Sequence, residues 1–489
     1  MAIKLFWLGA LAAMLAACSL TPDYQAPEMA LPQRYRAPGA ASTPLPKPAA
    51  TWWTRFGSPE LNSLVDKALS NSFTLKAAVS RVAQAQAQAV IAGASLLPTI
   101  NLATGDQMTA PDIGIGGPIQ AHQPIRSKRL RQFSLRSSYE VDLWGKNASN
   151  AESALAQAEA NELDQQTVTL SLVSSVATTY FQYLLAEERL ALAQKNLETI
   201  NKMLGTISQL LTAREATVME VNQQKNSLAQ AEALIPALTL QREQALDQLA
   251  LLLGIAPGEL KLSGKTLSSL KIPEISSGLP SELLYRRPDI GKVEATLRAA
   301  NANIGVARAK FLPSFSLQGE FGVGSSHLPS LLIPGAIYYS LIGSVVQSIF
   351  DNGRAEAEYE YNKARYEELV QIYRQTILQA LKEVEDSLAA VSYLEKQEEV
   401  QKRVVETAEQ TNVISKESYL AGFIDYLNYL ETERTRYRSE DDLTNLRFQR
   451  LNSSISLLKS IGEGIEIKKE KNDQKDQDKY EQSISKNEH

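Results

Sequence analysis

The side chains that most often carry enzymatic chemistry are scarce in this chain. Of its 489 residues, three are histidine (His122, His327 and His489) and one, Cys18, is cysteine. That is little material for a zinc site, a redox pair or a histidine-based triad, so the residues argue against an enzyme and imply no metal or cofactor. The run Gly114-Ile115-Gly116-Gly117 lacks the strand-to-helix setting and the lysine of a phosphate loop. Fifty basic against 55 acidic residues give a formal charge of −5, the wrong balance for a nucleic-acid partner. Two kinds of chemistry remain: modification of one thiol, and the electrostatics of carboxylates.

The thiol is informative by position. Lys4 precedes an apolar stretch from Leu5 to Met14, broken only by Gly9, and Leu15-Ala16-Ala17 then leads into Cys18. This is the layout of a secretory signal over 1–17. Its ending resembles the box at which bacterial lipoproteins are cleaved and their cysteine acylated. A lone cysteine in an oxidising compartment makes no disulfide within the chain, whereas two or more acyl chains on Cys18 would anchor it stably in a membrane. Ser19 stands where an aspartate usually retains such lipoproteins at the inner membrane, so the outer membrane is expected.

The elements around this anchor are read from proline and glycine. Twelve of the 20 prolines fall by Pro124, none lies between Pro124 and Pro236, and none follows Pro334. Gly205 is the only glycine from Lys146 to Leu253, and Gly422 the only one from Arg354 to Ser460. Both stretches are rich in Ala, Leu, Gln, Glu and Lys, which lose least on entering a helix. Tyr366, Val370, Tyr373, Ile377, Leu381, Val384, Leu388 and Val391 step by threes and fours, the core stripe of a gently supercoiled helix. No uninterrupted apolar run reaches the length of a membrane-spanning helix, so a multi-spanning helical protein is excluded.

Four segments alternate with period two instead. Strands are expected at about 99–108, 132–143, 314–323 and 338–349. The clearest sets Phe133, Leu135, Ser137, Tyr139, Val141 and Leu143 against Ser134, Arg136, Ser138, Glu140 and Asp142. Each is about the length of a tilted strand that crosses a bilayer.

An internal repeat organises them. Leu96-Leu97-Pro98-Thr99-Ile100-Asn101-Leu102 matches Phe311-Leu312-Pro313-Ser314-Phe315-Ser316-Leu317, and Trp144-Gly145-Lys146 matches Asn352-Gly353-Arg354. The expected organisation is a signal over 1–17, a lipidated extended segment over 18–59, a first repeat over 60–285 and a second over 286–461. A charged, disordered tail follows over 462–489. The long helices are expected at about 144–253 and 352–460, with an equatorial segment at 254–285. Each helix of roughly 70 residues would span roughly 100 Å if straight. Four strands cannot close a spanning barrel, because unpaired edges in lipid leave backbone groups unsatisfied. Chains must pool strands, and three would supply twelve.

Five stretches together resemble the TolC/OprM-type outer-membrane factors, lipoprotein branch. They are Leu15-Ala16-Ala17-Cys18, Pro22-Asp23-Tyr24, Tyr139-Glu140-Val141-Asp142-Leu143-Trp144-Gly145, Leu284-Tyr285-Arg286-Arg287-Pro288-Asp289-Ile290 and the run Ala299 to Ala309. The resemblance, over about residues 18–460, implies a mixed α and β fold: a trimeric twelve-stranded outer-membrane β-barrel continued by a periplasmic α-helical coiled-coil barrel. It implies an exit duct for drugs or other small toxic compounds, working as a homotrimer with a periplasmic adaptor and an inner-membrane RND pump. It also implies that acidic residues after the helix turns remote from the barrel form a closed constriction. By register against Arg214 and Gly422 the matching positions here are Glu220 in the first half and Asn428 and Glu431 in the second, with Tyr419 and Asp425 flanking the second turn.

The chain departs from that pattern in places. Arg214 stands where a glycine is usual, and Ser418 and Leu420 replace positions that are often basic in a salt-bridge lock. Pro236 is expected to kink the return helix or to cost it a hydrogen bond. Arg126, Lys128, Arg129 and Arg131 form a basic cluster ahead of the second strand, in an expected extracellular loop; it reads first as a solvated loop and second as a site for lipopolysaccharide phosphates. Two other readings stay open: the exit duct of a type I secretion system, and a structural envelope lipoprotein without a conduit.

Overall fold

The computed structural model of the chain describes residues 20–37, 51–109, 128–263, 266–276 and 278–464. They form two compact units that cut across the duplication. One is built from the described residues up to Pro27 with Arg81–Asn161 and Val293–Tyr373; the other takes Glu28–Ser80, Glu162–Lys292 and Arg374 onward.

The first unit carries an antiparallel sheet of β1 (Thr99–Thr109), β2 (Lys128–Val141), β3 (Ser314–Ser325) and β4 (Ile337–Val346), in that spatial order. Paired residues share a face, so the ladders sort the alternating pattern into two. Leu102, Leu135, Phe321 and Tyr339 make one row of an apolar face, and Asn101, Arg136, Glu320 and Ser340 one row of a polar face. On the polar face Arg136 Nε donates to Glu320 at 3.0 Å, and the Tyr338 hydroxyl donates to the same carboxylate at 2.8 Å. The apolar face is open in the single chain: Leu102, Phe321 and Tyr339 are 79%, 59% and 84% exposed. Among the described residues β1 and β4 each pair on one side only.

β2 ends at Val141, which leaves Leu143 outside it, and β3 runs on to Ser325, but the largest differences from expectation are at two other strand ends. β2 begins at Lys128 rather than about 132, because Leu130 and Arg131 pair with Gln107 and Asp106 of β1. Lys128, Arg129 and Arg131 are therefore strand residues and not loop residues, whereas Arg126 lies outside the described residues. β4 ends at Val346, and Gln347 Nε2 turns back to the Phe311 carbonyl oxygen at 3.2 Å.

Seven helices of more than one turn are described: α1 (Pro59–Asn71), α2 (Phe73–Ala94), α3 (Lys146–Thr212), α4 (Val218–Leu253), α5 (Pro288–Ala309), α6 (Arg354–Leu420) and α7 (Tyr426–Ser460). The two longest, α3 and α6, have 67 residues each. Each follows a left-handed glycine, Gly145 or Gly353, 208 positions apart. Pro236 sits inside α4 without ending it. In the Arg287-Pro288-Asp289 motif, Pro288 opens α5 while buried Arg287 donates to both Asp289 carboxylate oxygens (3.0 and 2.6 Å), to the Ser460 carbonyl at 3.1 Å and to Glu383 at 2.8 Å. This is a structural tie.

The core of the second unit explains two further departures. Residues 52–56 form a 3₁₀ turn rather than extended chain, and Trp52 and Phe56 pack with Leu61 and Val65 of α1, Val176 and Phe181 of α3, Leu249 of α4 and Ile455 of α7. A stretch of α3 is apolar enough to cross a membrane by composition, yet most of it is buried in this way. At the other end of the sequence Glu463 is buried and accepts from Arg55 at 2.7 Å, so residues 462–464 belong to the folded chain and not to the expected tail, the rest of which lies outside the described residues.

Candidate gate at the helix turns

The α3–α4 and α6–α7 turns are copies of one another at an offset of 208. The first closes with Glu215 N donating to the Leu210 carbonyl and Arg214 N to that of Leu211; the second with Phe423 N donating to Ser418 and Gly422 N to Tyr419. This is a Schellman-type C-cap, which needs one left-handed residue. Gly422 fills it at φ +79°, and Arg214 fills the same place at φ +65°. The arginine thus keeps the turn geometry that a glycine would give.

Each returning helix is then capped by a side chain. Thr217 Oγ1 accepts from Glu220 N at 3.2 Å while Thr217 N donates to the Glu220 carboxylate at 2.6 Å, a reciprocal capping box. At the matching place Asp425 accepts from Asn428 N at 2.8 Å. The candidate residues therefore take different parts. Glu220 is half-buried and holds its own helix end; Asp425 caps α7; the side chains of Asn428 and Glu431 are exposed. Glu431 lines an apolar groove between α6 and α7 with Val400, Val404 and Thr407.

Tyr419 is buried and is the centre of an aromatic cluster. Its ring stacks on Tyr429 at 5.9 Å and meets Tyr426 edge-on at 5.6 Å. Met203, Ile207 and Val221 of the first turn's helices pack into the same cluster. The Tyr426 hydroxyl donates to Gln224, whose amide donates to the Ile200 carbonyl at 2.7 Å, so α7, α4 and α3 are joined by one buried hydrogen-bond chain. Burial, and then the charge of Glu220, push the Tyr419 hydroxyl above its ordinary range. Where a salt-bridge lock was in question, aromatic packing and a neutral hydrogen-bond chain hold the described turns.

One residue here was not singled out by sequence. Glu433 of α7 is 3% exposed, and neither carboxylate oxygen has a hydrogen-bond partner among the described residues. It borders a cavity of about 200 Å³ with Asn196, Ser227 and Tyr437. Burial raises its pKa, against the opposing influence of Arg436, of the nearby Tyr429 hydroxyl, and of Lys416 and Arg434. Glu398 of α6 is the contrast. Burial acts on it too, but Arg450 at 2.5 Å and Lys402 at 3.1 Å outweigh it and hold the carboxyl below its ordinary range. A Glu within the polar-looking run Glu431-Thr432-Glu433-Arg434 gives no sign of burial until the helix phase is known.

A sheet with an apolar face and two edges open, joined in sequence to paired long helices with duplicated turns, is an arrangement suited to a membrane duct. Residues 64–255 and 279–463 match the family of outer membrane efflux proteins, and the chain belongs to that family. It is 38% identical to the pyoverdine export outer membrane protein OpmQ of Pseudomonas aeruginosa, over 92% of this chain and 95% of that one. It is 30% identical to the probable outer membrane lipoprotein SilC of Salmonella typhimurium, over 92% and 96%. The Campylobacter jejuni CmeC outer membrane channel superposes with a TM-score of 0.85 at 25% identity, covering 93% of this chain and 96% of that one. The fold is accordingly that of the trimeric outer-membrane efflux channels, with a four-stranded sheet among the described residues. The protein is an outer-membrane exit duct, and its family consists of channel-forming ducts rather than enzymes.

Proposed function

We propose that three copies of this chain form the duct and receive small compounds from a periplasmic adaptor and an inner-membrane RND pump. The observation that carries the trimer is the sheet: four strands in the order β1-β2-β3-β4 leave two edges unpaired, and lipid tolerates none. The turns form the resting closure. Glu220, Asn428 and Glu431 supply its polar and acidic groups, Asp425 fixes the second turn, and Tyr419 braces it from within. Rings of carboxylates in three copies attract cations and repel one another, so cation binding biases the open fraction. Cys18, outside the described residues, is the acylated anchor, a reading supported by the lipoprotein name of SilC. For cargo, the 38% identity to a pyoverdine exporter, against 31% to the cation efflux protein CusC of Escherichia coli, favours a secreted small metabolite over a metal ion. Native mass spectrometry of the purified protein tests the assembly: a trimer is expected, and a membrane-inserted monomer would contradict it.

A further inference from the structure

The charges on the sheet's apolar face are distributed unevenly. Along the paired rows from Ile100 to Met108, Arg129 to Val141, Phe315 to Ser325 and Ile337 to Val345, that face carries three charged residues: Asp106, Arg129 and Arg131. All three fall in the last two rows, at the strand ends that lead into residues 110–127, away from the ends that join the helices. Asp106 lies opposite Arg131 and diagonal to Arg129. It accepts from Arg129 Nε at 2.7 Å and from Arg131 Nε at 3.5 Å. Two guanidinium groups against one carboxylate leave the trio with one net positive charge. Arg129 and Asp106 stay 50% and 43% exposed at their side chains, so the pairing does not bury them.

The next row inward is Thr104, Phe133 and Val323, followed by the exposed Leu102, Leu135 and Phe321. Two residues along a strand cover about 7 Å. An acyl chain lying on Phe133 and Leu135 would thus bring its headgroup level with Arg131, and a second row reaches Arg129.

We propose that Asp106, Arg129 and Arg131 form a docking site for the phosphate of a phosphorylated outer-leaflet lipid whose acyl chains lie on the adjoining apolar rows. This rests on reading the sheet as part of the membrane barrel with its apolar face to lipid. Arginine suits the role because its planar fork gives several donors at once to a phosphate and its charge is permanent. Asp106 orients the two guanidinium groups and also competes with the phosphate for them.

The test titrates the purified full-length protein with fluorescently labelled lipopolysaccharide, with the same lipid after enzymatic removal of its phosphates, and with inorganic phosphate as competitor. The parent is expected to prefer the phosphorylated lipid by roughly tenfold, the scale of one or two charge-assisted hydrogen bonds. Arg129→Ala/Arg131→Ala is expected to bring that ratio close to one, and Arg129→Lys/Arg131→Lys to recover part of it. Asp106→Asn keeps both arginines and removes the competing charge, so it is expected to raise the ratio; it keeps the test decisive if the double alanine variant does not assemble. An unchanged ratio in the alanine variant, or a lowered one in Asp106→Asn, would overturn the proposal, as would displacement of the lipid by an equal concentration of inorganic phosphate. Channel insertion by the same preparations separates the two claims. Channels with no phosphate preference reject the lipid site alone, whereas failure of the parent to insert rejects the barrel on which the site rests.

Discussion

Arg214 and Gly422 stand 208 residues apart, at equivalent turns, and share one backbone conformation, φ +65° and +79°. Both copies of the turn have the left-handed cap, and only the second carries the residue best suited to it. For a side-chain-bearing residue that conformation costs about 1–2 kcal/mol, and a glycine loses about 0.5–1 kcal/mol more backbone entropy on folding. Arg214→Gly is therefore expected to stabilise the protein by about 0.5 kcal/mol, and Gly422→Ala to destabilise it by about 1 kcal/mol. Thermal unfolding of the two variants checks the pair; a destabilising Arg214→Gly would mean that the arginine side chain itself holds the turn.

The buried chain from Tyr426 through Gln224 to the Ile200 carbonyl makes a double-mutant prediction. Tyr426→Phe leaves a buried Gln224 oxygen without its donor and is expected to cost about 1–3 kcal/mol. Adding Gln224→Leu removes the stranded group and is expected to recover part of that loss. Additive losses in denaturant unfolding would show that the two residues are not coupled.

Glu433 makes the fold sensitive to pH. Its carboxyl titrates above its ordinary value in the folded chain, chiefly through burial, so the folded state keeps the proton after the unfolded state has released it. Its effect on stability is absent below the unfolded pKa of about 4.3, and it lowers stability progressively as the pH rises from there towards the folded value. Glu433→Gln is expected to raise the melting temperature at pH 7 and to flatten the decline above about pH 4.3. Equal pH profiles for variant and parent would show that Glu433 is ionised and solvated.

If Cys18 is the acylated residue, Cys18→Ser abolishes incorporation of labelled palmitate, while the strands still hold the duct in the membrane. Undiminished labelling would place the lipid elsewhere.

Much of this architecture was legible because it is periodic. Period-two alternation marks the strands, and an offset of 208 carries Trp144-Gly145-Lys146 onto Asn352-Gly353-Arg354 and the first turn onto the second. What escaped was set by partners distant in sequence. Lys128 to Arg131 read as a charge cluster, since only pairing with Asp106 and its neighbours makes them strand. Trp52 and Phe56 read as part of an extended leader until α3 and α7 supply their core. Glu220 stands in register with a gate carboxylate, and only the structure shows that it also serves locally, in the cap with Thr217. The three tyrosines matter through stacking across a turn, which neither spacing nor composition records.

The closure at the turns is tested most directly by single-channel conductance in planar bilayers. Because Glu220 also caps α4, the variant to use is Glu220→Gln/Glu431→Gln, which keeps an amide oxygen for the cap and removes six charges from a trimer. Expected are a larger resting conductance than the parent's and loss of most block by divalent cations added from the periplasmic side. Conductance and block both equal to the parent's would contradict a closure built from these carboxylates.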